Sequence, residues 1–128
     1  MKIEHVALNV PDALSMARWY CEHLGLTVKR RVMEAPWAHF LADDNDCVML
    51  ELYSNTDFEF PEYTNIPPAS LHIAFSSTDI PADTLRLKLA GATVLTEESP
   101  LPGGDSMAML RDPWGVCLQL IQRAKPMI

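Results

Sequence analysis

The hydrophobic and polar positions along this chain predict one structural unit that occurs twice. Apolar and polar residues alternate over residues 2–10, which indicates a strand, and Asp12 then suits the N-cap of a helix. Gly25 can end that helix in the left-handed conformation. Strand-like runs over residues 26–34, 37–43 and 47–54 follow, so the first unit is predicted as β-α-β-β-β. The apolar stripe of the helix is predicted from its spacing on Leu14, Ala17, Cys21 and Leu24.

The second unit repeats this order. Ser70–Ser77 is predicted as a strand, and Asp79 as the cap of a helix that Gly91 ends. Three further strands are predicted near 93–98, 106–111 and 116–123. The apolar face of the second helix is predicted on Ala82, Leu85 and Leu89. We therefore predict a single α+β domain over residues 1–128, with module one at about 1–55, a connector at about 55–69 and module two at about 70–124.

Short sequences shared by the two units support a duplication. The run that begins at His5 (HVALN) returns 67 residues later at His72 as HIAFS, and the run VMLEL around Glu51 returns 68 residues later as VCLQL around Gln119. The connector between the units carries Phe58, Phe60 and Tyr63, which favours packing against the body over a role as a ligand lid.

Strand alternation places polar side chains on one face of four strands. Successive residues of a strand face opposite sides, so the apolar rows, such as Val6, Leu8 and Val10, can pack against the helices. The other faces then present His5, Glu51, His72 and Gln119, and we expect them to line a cavity. Tyr53, Asn55 and Arg123 share these faces with Glu51 and Gln119, and Asn9 shares the face of His5.

Two imidazoles, a carboxylate and an amide are suitable ligands for one divalent cation. Imidazole suits zinc, nickel, cobalt and iron, whereas oxygen donors suit harder ions such as manganese. Such an ion would act as a Lewis acid on a carbonyl or enediolate oxygen of a substrate. Glu51 is the sole carboxylate of the set, so it is the candidate both for a ligand and for the catalytic base.

Composition narrows the setting and the partners. The 128 residues are 48% hydrophobic and contain no long apolar run or signal-peptide pattern, which indicates a soluble, cytoplasmic protein without a membrane partner. Three cysteines at unrelated spacings imply no disulfide framework. A net charge of −7 argues against nucleic acid as a partner.

Two other residues are weaker candidates for chemistry. His39 lies in a strand, but its counterpart in the second unit is Ala108, so the repeat does not support it as more than a minor substrate contact. Cys117 shares a face with Gln119 and is better explained as a small buried residue than as a reactive thiol.

Taken together, these residues and motifs resemble the vicinal oxygen chelate superfamily, which includes glyoxalase I, methylmalonyl-CoA epimerase, extradiol dioxygenases, and bleomycin and fosfomycin resistance proteins. The resemblance covers the whole chain and includes the Leu24-Gly25-Leu26 and Asp112-Pro113-Trp114-Gly115 segments. It implies two βαβββ modules that form a cupped mixed β-sheet around one metal, with one helix per module on the outer face. It further implies that His5, Glu51, His72 and Gln119 are the metal ligands, and that the chain forms a homodimer.

Bacterial-type glyoxalase I is the member that this sequence resembles most. That enzyme has a second glutamate at the position of Gln119, and an amide cannot act as a base. Asn55 matches a glutathione-contacting asparagine, whereas Asn9 stands where an arginine helps to hold the glutathione carboxylate. Candidate substrate contacts are Asn9, Tyr53, Asn55 and Arg123.

Three functions stay open at the level of sequence. The first is a metal enzyme that isomerises, epimerises or cleaves a small carbonyl or hydroxy substrate through an enediolate-type intermediate. The second is a metal-free drug-binding protein of the bleomycin-resistance type, and the third is a module that only pairs with another chain. A dioxygenase is disfavoured, because those enzymes resemble this chain less in length and in the last ligand.

Overall fold

The computed structural model describes residues 1–127. The chain divides into two compact units, one from Met1 to Pro61 and one from Glu62 onward. The first unit contains β1 (His5–Asn9), α1 (Ala13–Leu24), β2 (Thr27–Arg31), β3 (His39–Ala42) and β4 (Met49–Tyr53). The second unit contains β5 (Ile73–Ser76), α2 (Ile80–Leu89), β6 (Thr93–Pro100), β7 (Ser106–Arg111) and β8 (Cys117–Gln122), with short 3₁₀ turns at Tyr63–Asn65 and Pro102–Gly104.

Strand pairing confirms the α+β class and the predicted repeat of β-α-β-β-β. The sheet of the first unit has the order β1-β4-β3-β2, and that of the second has the equivalent order β5-β8-β7-β6. In each unit the first and last strands are parallel and the other pairs are antiparallel. Ala7 lies opposite Glu51 in one unit, and Ala74 lies opposite Gln119 in the other. The duplication therefore extends to the register of the strands.

The first helix begins and ends where the sequence predicts, but it buries a different face. The Asp12 carboxylate accepts a hydrogen bond from the Ser15 amide at 2.9 Å, and Gly25 closes the helix with φ at 73°. Leu14 is 47% exposed, so the predicted stripe is wrong there. The buried residues are Ala13, Met16, Ala17, Trp19 and Tyr20. Met16 and Tyr20 are fully buried, and burying these large side chains removes more apolar surface from water than burying Leu14 and Cys21 would.

The predicted apolar face of the second helix is also wrong. Leu85 is 59% exposed and Leu89 is 81% exposed, whereas Ile80 and Leu87 are fully buried. The Asp79 carboxylate caps the helix by accepting from the Ala82 amide at 3.0 Å, and this start places Ile80 in the first turn on the side of the sheet. Ile80, Thr84 and Leu87 then follow each other at helical spacing along the buried side.

The predicted apolar rows of the strands are buried only in part. Leu8, Leu52 and Leu118 are almost fully buried, but Val6 is 53% exposed. Val6 lies on β1, an edge strand that has a hydrogen-bonded neighbour on one side only. Alternation identifies the face of a side chain but not how completely that face is covered.

The connector is anchored to the second unit by one arginine. The Arg111 guanidinium donates to the carbonyls of Tyr63 at 2.9 Å, Gly115 at 2.7 Å and Ile66 at 2.9 Å. Tyr63 is buried, so the prediction that connector aromatics pack against the body is confirmed for it, but Phe58 is 70% exposed, so the prediction is wrong there.

Candidate functional site

The first unit brings two of the predicted metal ligands together. His5 Nε2 lies 3.3 Å from Glu51 Oε2, with the side chains 37% and 18% exposed. Parallel pairing of β1 with β4 puts Glu51 opposite Ala7, so His5, two residues earlier on the same face, is its diagonal neighbour. Two donors bound to one ion at about 2.0–2.2 Å are separated by roughly 3.0–3.6 Å, so this spacing fits a shared cation.

In both predicted histidine ligands, a hydrogen bond engages Nδ1 and leaves Nε2 as the ring nitrogen that could bind a metal. His5 Nδ1 is hydrogen-bonded to the Glu4 carboxylate, and His72 Nδ1 donates to the Pro68 carbonyl at 2.8 Å. A carboxylate and a carbonyl only accept, so Nδ1 carries the proton and Nε2 keeps its lone pair in the neutral ring. Partners of this kind orient metal-binding imidazoles in proteins.

Glu4 also affects the protonation of its neighbour. The hydrogen bond that His5 donates to the Glu4 carboxylate raises the pKa of His5, desolvation opposes that rise, and the charges of Glu4 and Glu51 add to it. The ring of Phe40 also meets that of His5 edge-on, with centroids 5.6 Å apart.

The side-chain nitrogen of Gln119 is likewise engaged by a hydrogen bond within the protein. Its Nε2 lies 3.1 Å from Met107 Sδ on the neighbouring strand, which leaves Oε1 as the atom suited to a cation. Gln119 and His72 lie in the second unit, where Gln119 is opposite Ala74 and His72 directly precedes β5. Across residues 1–127, no group of three or more histidine, cysteine, aspartate or glutamate side chains is arranged to hold a metal ion.

Three of the four predicted substrate contacts already have hydrogen-bond or ion-pair partners within the protein. The Asn9 side chain donates to the Asn55 carbonyl at 3.0 Å and accepts from the Asn55 amide at 2.8 Å, so it joins the ends of β1 and β4. Asn55 Oδ1 accepts from the Asp57 amide at 2.9 Å. Arg123 is ion-paired with Asp105 at 2.6 Å. Tyr53, opposite Asn9 on β4, is partly exposed.

The two weaker candidates are both buried. His39 is 3% exposed, donates from Nδ1 to the Trp37 carbonyl at 2.6 Å and lies opposite Leu52, on the apolar face of the sheet. This burial on the apolar face argues against a substrate contact by His39. Cys117 is 3% exposed, and burial raises the pKa of its thiol, which confirms a packing role.

One residue of this face escaped the sequence prediction. Arg30 lies opposite Phe40, and Phe40 lies opposite Glu51, so the three share one face of the sheet. A β-bulge between Val28 and Arg30 puts Arg30 there, because it adds one residue to β2. The sequence shows a basic run from Lys29 to Arg31, but strict alternation predicts that Lys29, not Arg30, shares the face of Glu51.

Comparison with known proteins agrees with this fold. Residues 2–120 match the profile of the Glyoxalase/Bleomycin resistance protein/Dioxygenase superfamily. The chain is 31% identical over 127 residues to a probable lactoylglutathione lyase of Vibrio parahaemolyticus, which covers 94% of this chain and 90% of that protein.

Solved structures share the fold at lower identity. Glyoxalase I from Zea mays superimposes with a TM-score of 0.72 at 23% identity, over 97% of this chain and 45% of that chain. TnmS3, an antibiotic binding protein from Streptomyces sp. CB03234, superimposes with a TM-score of 0.68 at 23% identity, over 97% of each chain. Neither helix in residues 1–127 has the length and hydropathy that a bilayer crossing requires.

Proposed function

Because this chain belongs to the Glyoxalase/Bleomycin resistance protein/Dioxygenase superfamily, we propose that it is a divalent-metal-dependent, glyoxalase-like enzyme. Its substrate is a small molecule with neighbouring carbonyl and hydroxyl oxygens, which it isomerises, epimerises or cleaves. The metal ligands are His5, Glu51, His72 and Gln119, and the active form is a homodimer. The ion is zinc, nickel, cobalt, iron or manganese.

The observation that carries this proposal is the fixed orientation of the donor atoms. In three of the four candidate ligands, an intramolecular hydrogen bond engages the atom that would not bind a metal: Nδ1 of His5, Nδ1 of His72 and Nε2 of Gln119. Each contact leaves a lone pair on the atom that could bind one. Histidines on a merely solvated face need no such partners, whereas a metal ligand gains from them.

The residues have separate roles in the proposed reaction. A bound divalent ion supplies Lewis acidity toward substrate oxygens. Glu51 accepts and returns the substrate proton, since its carboxylate can carry a proton and the amide of Gln119 cannot. Tyr53 and Asn55 hold the rest of the substrate, and Asn9 and Arg123 contact it if their present partners are exchanged for substrate atoms.

Metal analysis of protein purified without chelator tests the proposal. We expect about one equivalent of divalent metal per chain, and at least tenfold weaker retention in His5→Ala and in His72→Ala. His23→Ala is the matched control, because His23 lies on α1 and is 31% exposed. Wild-type protein that retains no metal, together with chelator-insensitive binding of a drug such as bleomycin, would establish the metal-free binding protein instead.

Activity identifies the reaction. The hemithioacetal of methylglyoxal and glutathione is the first substrate to assay, in wild type and in Gln119→Glu. We expect Gln119→Glu to raise the rate, because it restores a second carboxylate for proton transfer. Light scattering of the same samples measures the stoichiometry, and a monomer would remove the dimer from the proposal.

A further inference from the structure

Strand register places a cation on the same face as Glu51. Cross-strand partners point their side chains to the same side of a sheet, and the partners of Glu51 form one row: Ala7 on β1, Glu51 on β4, Phe40 on β3 and Arg30 on β2. Glu51 and Arg30 are two strand spacings apart, which is about 10 Å between their Cα atoms. An arginine side chain is long enough to reach a ligand held between the two positions.

Arg30 is available for a ligand, and its basic neighbours are not equivalent to it. Arg30 is exposed, and within residues 1–127 no hydrogen bond or ion pair engages its guanidinium. Lys29 is ion-paired with Asp46 at 2.7 Å. Arg31 lies opposite His39, so it projects from the other face of the sheet. One unpaired positive charge therefore faces the side on which His5 and Glu51 meet.

The second unit shows that this arginine is not a requirement of the fold. There the equivalent row consists of Ala74, Gln119, Met109 and Thr96. Thr96 occupies the position of Arg30, and Gln119 that of Glu51. The duplicated module folds with a neutral residue at this position, so packing does not explain the guanidinium.

We propose that Arg30 is a specificity-determining residue that holds a carboxylate of the substrate, an inference that rests on the proposed function. A guanidinium binds a carboxylate through two parallel hydrogen bonds. A carboxylate fits better than a phosphate, because a single unpaired cation matches a monoanion. The substrate class is thus a small acid whose carboxylate lies on the Arg30 side of the reacting oxygens.

Calorimetric binding of two matched acids to metal-loaded protein tests this inference. The 2-oxoglutarate and 2-oxopentanoate ions share the 2-oxo acid end, but only 2-oxoglutarate has a distal carboxylate. We expect wild type to bind 2-oxoglutarate about tenfold or more tightly than 2-oxopentanoate. Arg30→Ala should abolish that preference without changing the affinity for 2-oxopentanoate, and Arg30→Lys should retain part of it.

Arg31→Ala is the matched control, since it removes the same charge from the next residue on the opposite face. It should keep the full preference. Melting temperatures of all three variants should match wild type, because within residues 1–127 no hydrogen bond or ion pair engages the side chain of Arg30 or Arg31 and both residues are exposed. Equal affinity for the two acids in wild type, equal losses in Arg30→Ala and Arg31→Ala, or no binding of either acid would overturn the inference. The metal analysis above is independent of Arg30, so it shows separately whether the proposed function itself has failed.

Discussion

Replacing Gly115 by alanine should destabilise the second unit strongly. Gly115 is buried in the turn between β7 and β8 and adopts φ +90°, a conformation that side chains disfavour. A Cβ at this position would overlap Thr64 Oγ1 and would lie 2.8 Å from Thr64 N and 3.2 Å from Thr64 Cα. The close atoms include backbone, so rotation of a side chain cannot relieve the contact.

Two separate terms contribute to the cost. Positive φ costs an alanine about 1–2 kcal/mol relative to glycine. The overlap with Thr64 adds about 1–3 kcal/mol, the usual range for overpacking a close-fitting region. Moving Thr64 away would also strain the hydrogen bonds through which Arg111 holds both the Tyr63 and Gly115 carbonyls. We therefore expect a total of about 2–5 kcal/mol, a large part of the stability of a typical domain.

Substitution of a second glycine, Gly103, measures the cost of positive φ without the overlap with Thr64. Gly103 has φ +87°, nearly the same as Gly115, but a Cβ there would meet nothing within 4 Å. Gly103→Ala should therefore lose only about 1–2 kcal/mol in urea unfolding followed by circular dichroism. Gly115→Ala should lose at least about 1 kcal/mol more. Equal losses in the two variants would refute the close approach of Thr64.

Three further predictions concern stability. Thr84→Val should raise the free energy of unfolding by about 1 kcal/mol, because Thr84 Oγ1 is buried and has no hydrogen-bond partner in residues 1–127; a lower urea midpoint would contradict this. Leu85→Ala should change the free energy of unfolding by less than about 0.5 kcal/mol, whereas Leu87→Ala should lower it by about 2–5 kcal/mol. If thermal unfolding showed the larger loss for Leu85→Ala, the helix face predicted from the sequence would be the buried one. Asp12→Ala should cost about 1 kcal/mol at neutral pH. The hydrogen bonds from Ser15 lower the pKa of Asp12, so its contribution is complete above the ordinary aspartate pKa and is lost as the pH falls through the lowered value; Asp12→Asn, which cannot titrate, should show no such acid-side loss in a pH series of urea unfolding curves.

Local chemistry made much of the fold predictable. Asp12 and Asp79 cap the two helices as predicted, because a short acidic side chain satisfies backbone N–H groups that the helix itself leaves unpaired. The order of helices and strands along the chain and the equivalence of Glu51 with Gln119 were also predicted, because alternation and repetition are properties of the sequence itself. The observed elements confirm the first, and the matching register of Glu51 and Gln119 confirms the second.

Predictions of which face of each helix is buried against the sheet were less successful. Each helix has more than one face with apolar residues, and only contact with the sheet determines which one is buried. In α2 the sheet selected Ile80 and Leu87 and left Leu85 and Leu89 exposed. A single sequence cannot settle this choice, because the difference in buried area depends on the shape of the partner.

The candidate site, too, could be predicted only in part from the sequence. That His5 and Glu51 face the same side could be predicted from the sequence alone, because side chains alternate along a strand and the apolar rows of both strands pack against the helices. The folded chain adds the pairing of their strands, the separation of 3.3 Å between them, the hydrogen bonds that orient both histidine rings, and the place of Arg30 on the same face. The separation and the place of Arg30 depend on the register between strands, and one bulged residue in β2 exchanges the faces of Lys29, Arg30 and Arg31 in a way that no periodic pattern records. The histidine hydrogen bonds depend instead on the local path of the backbone, since their partners are the neighbouring Glu4 and the Pro68 carbonyl four residues before His72.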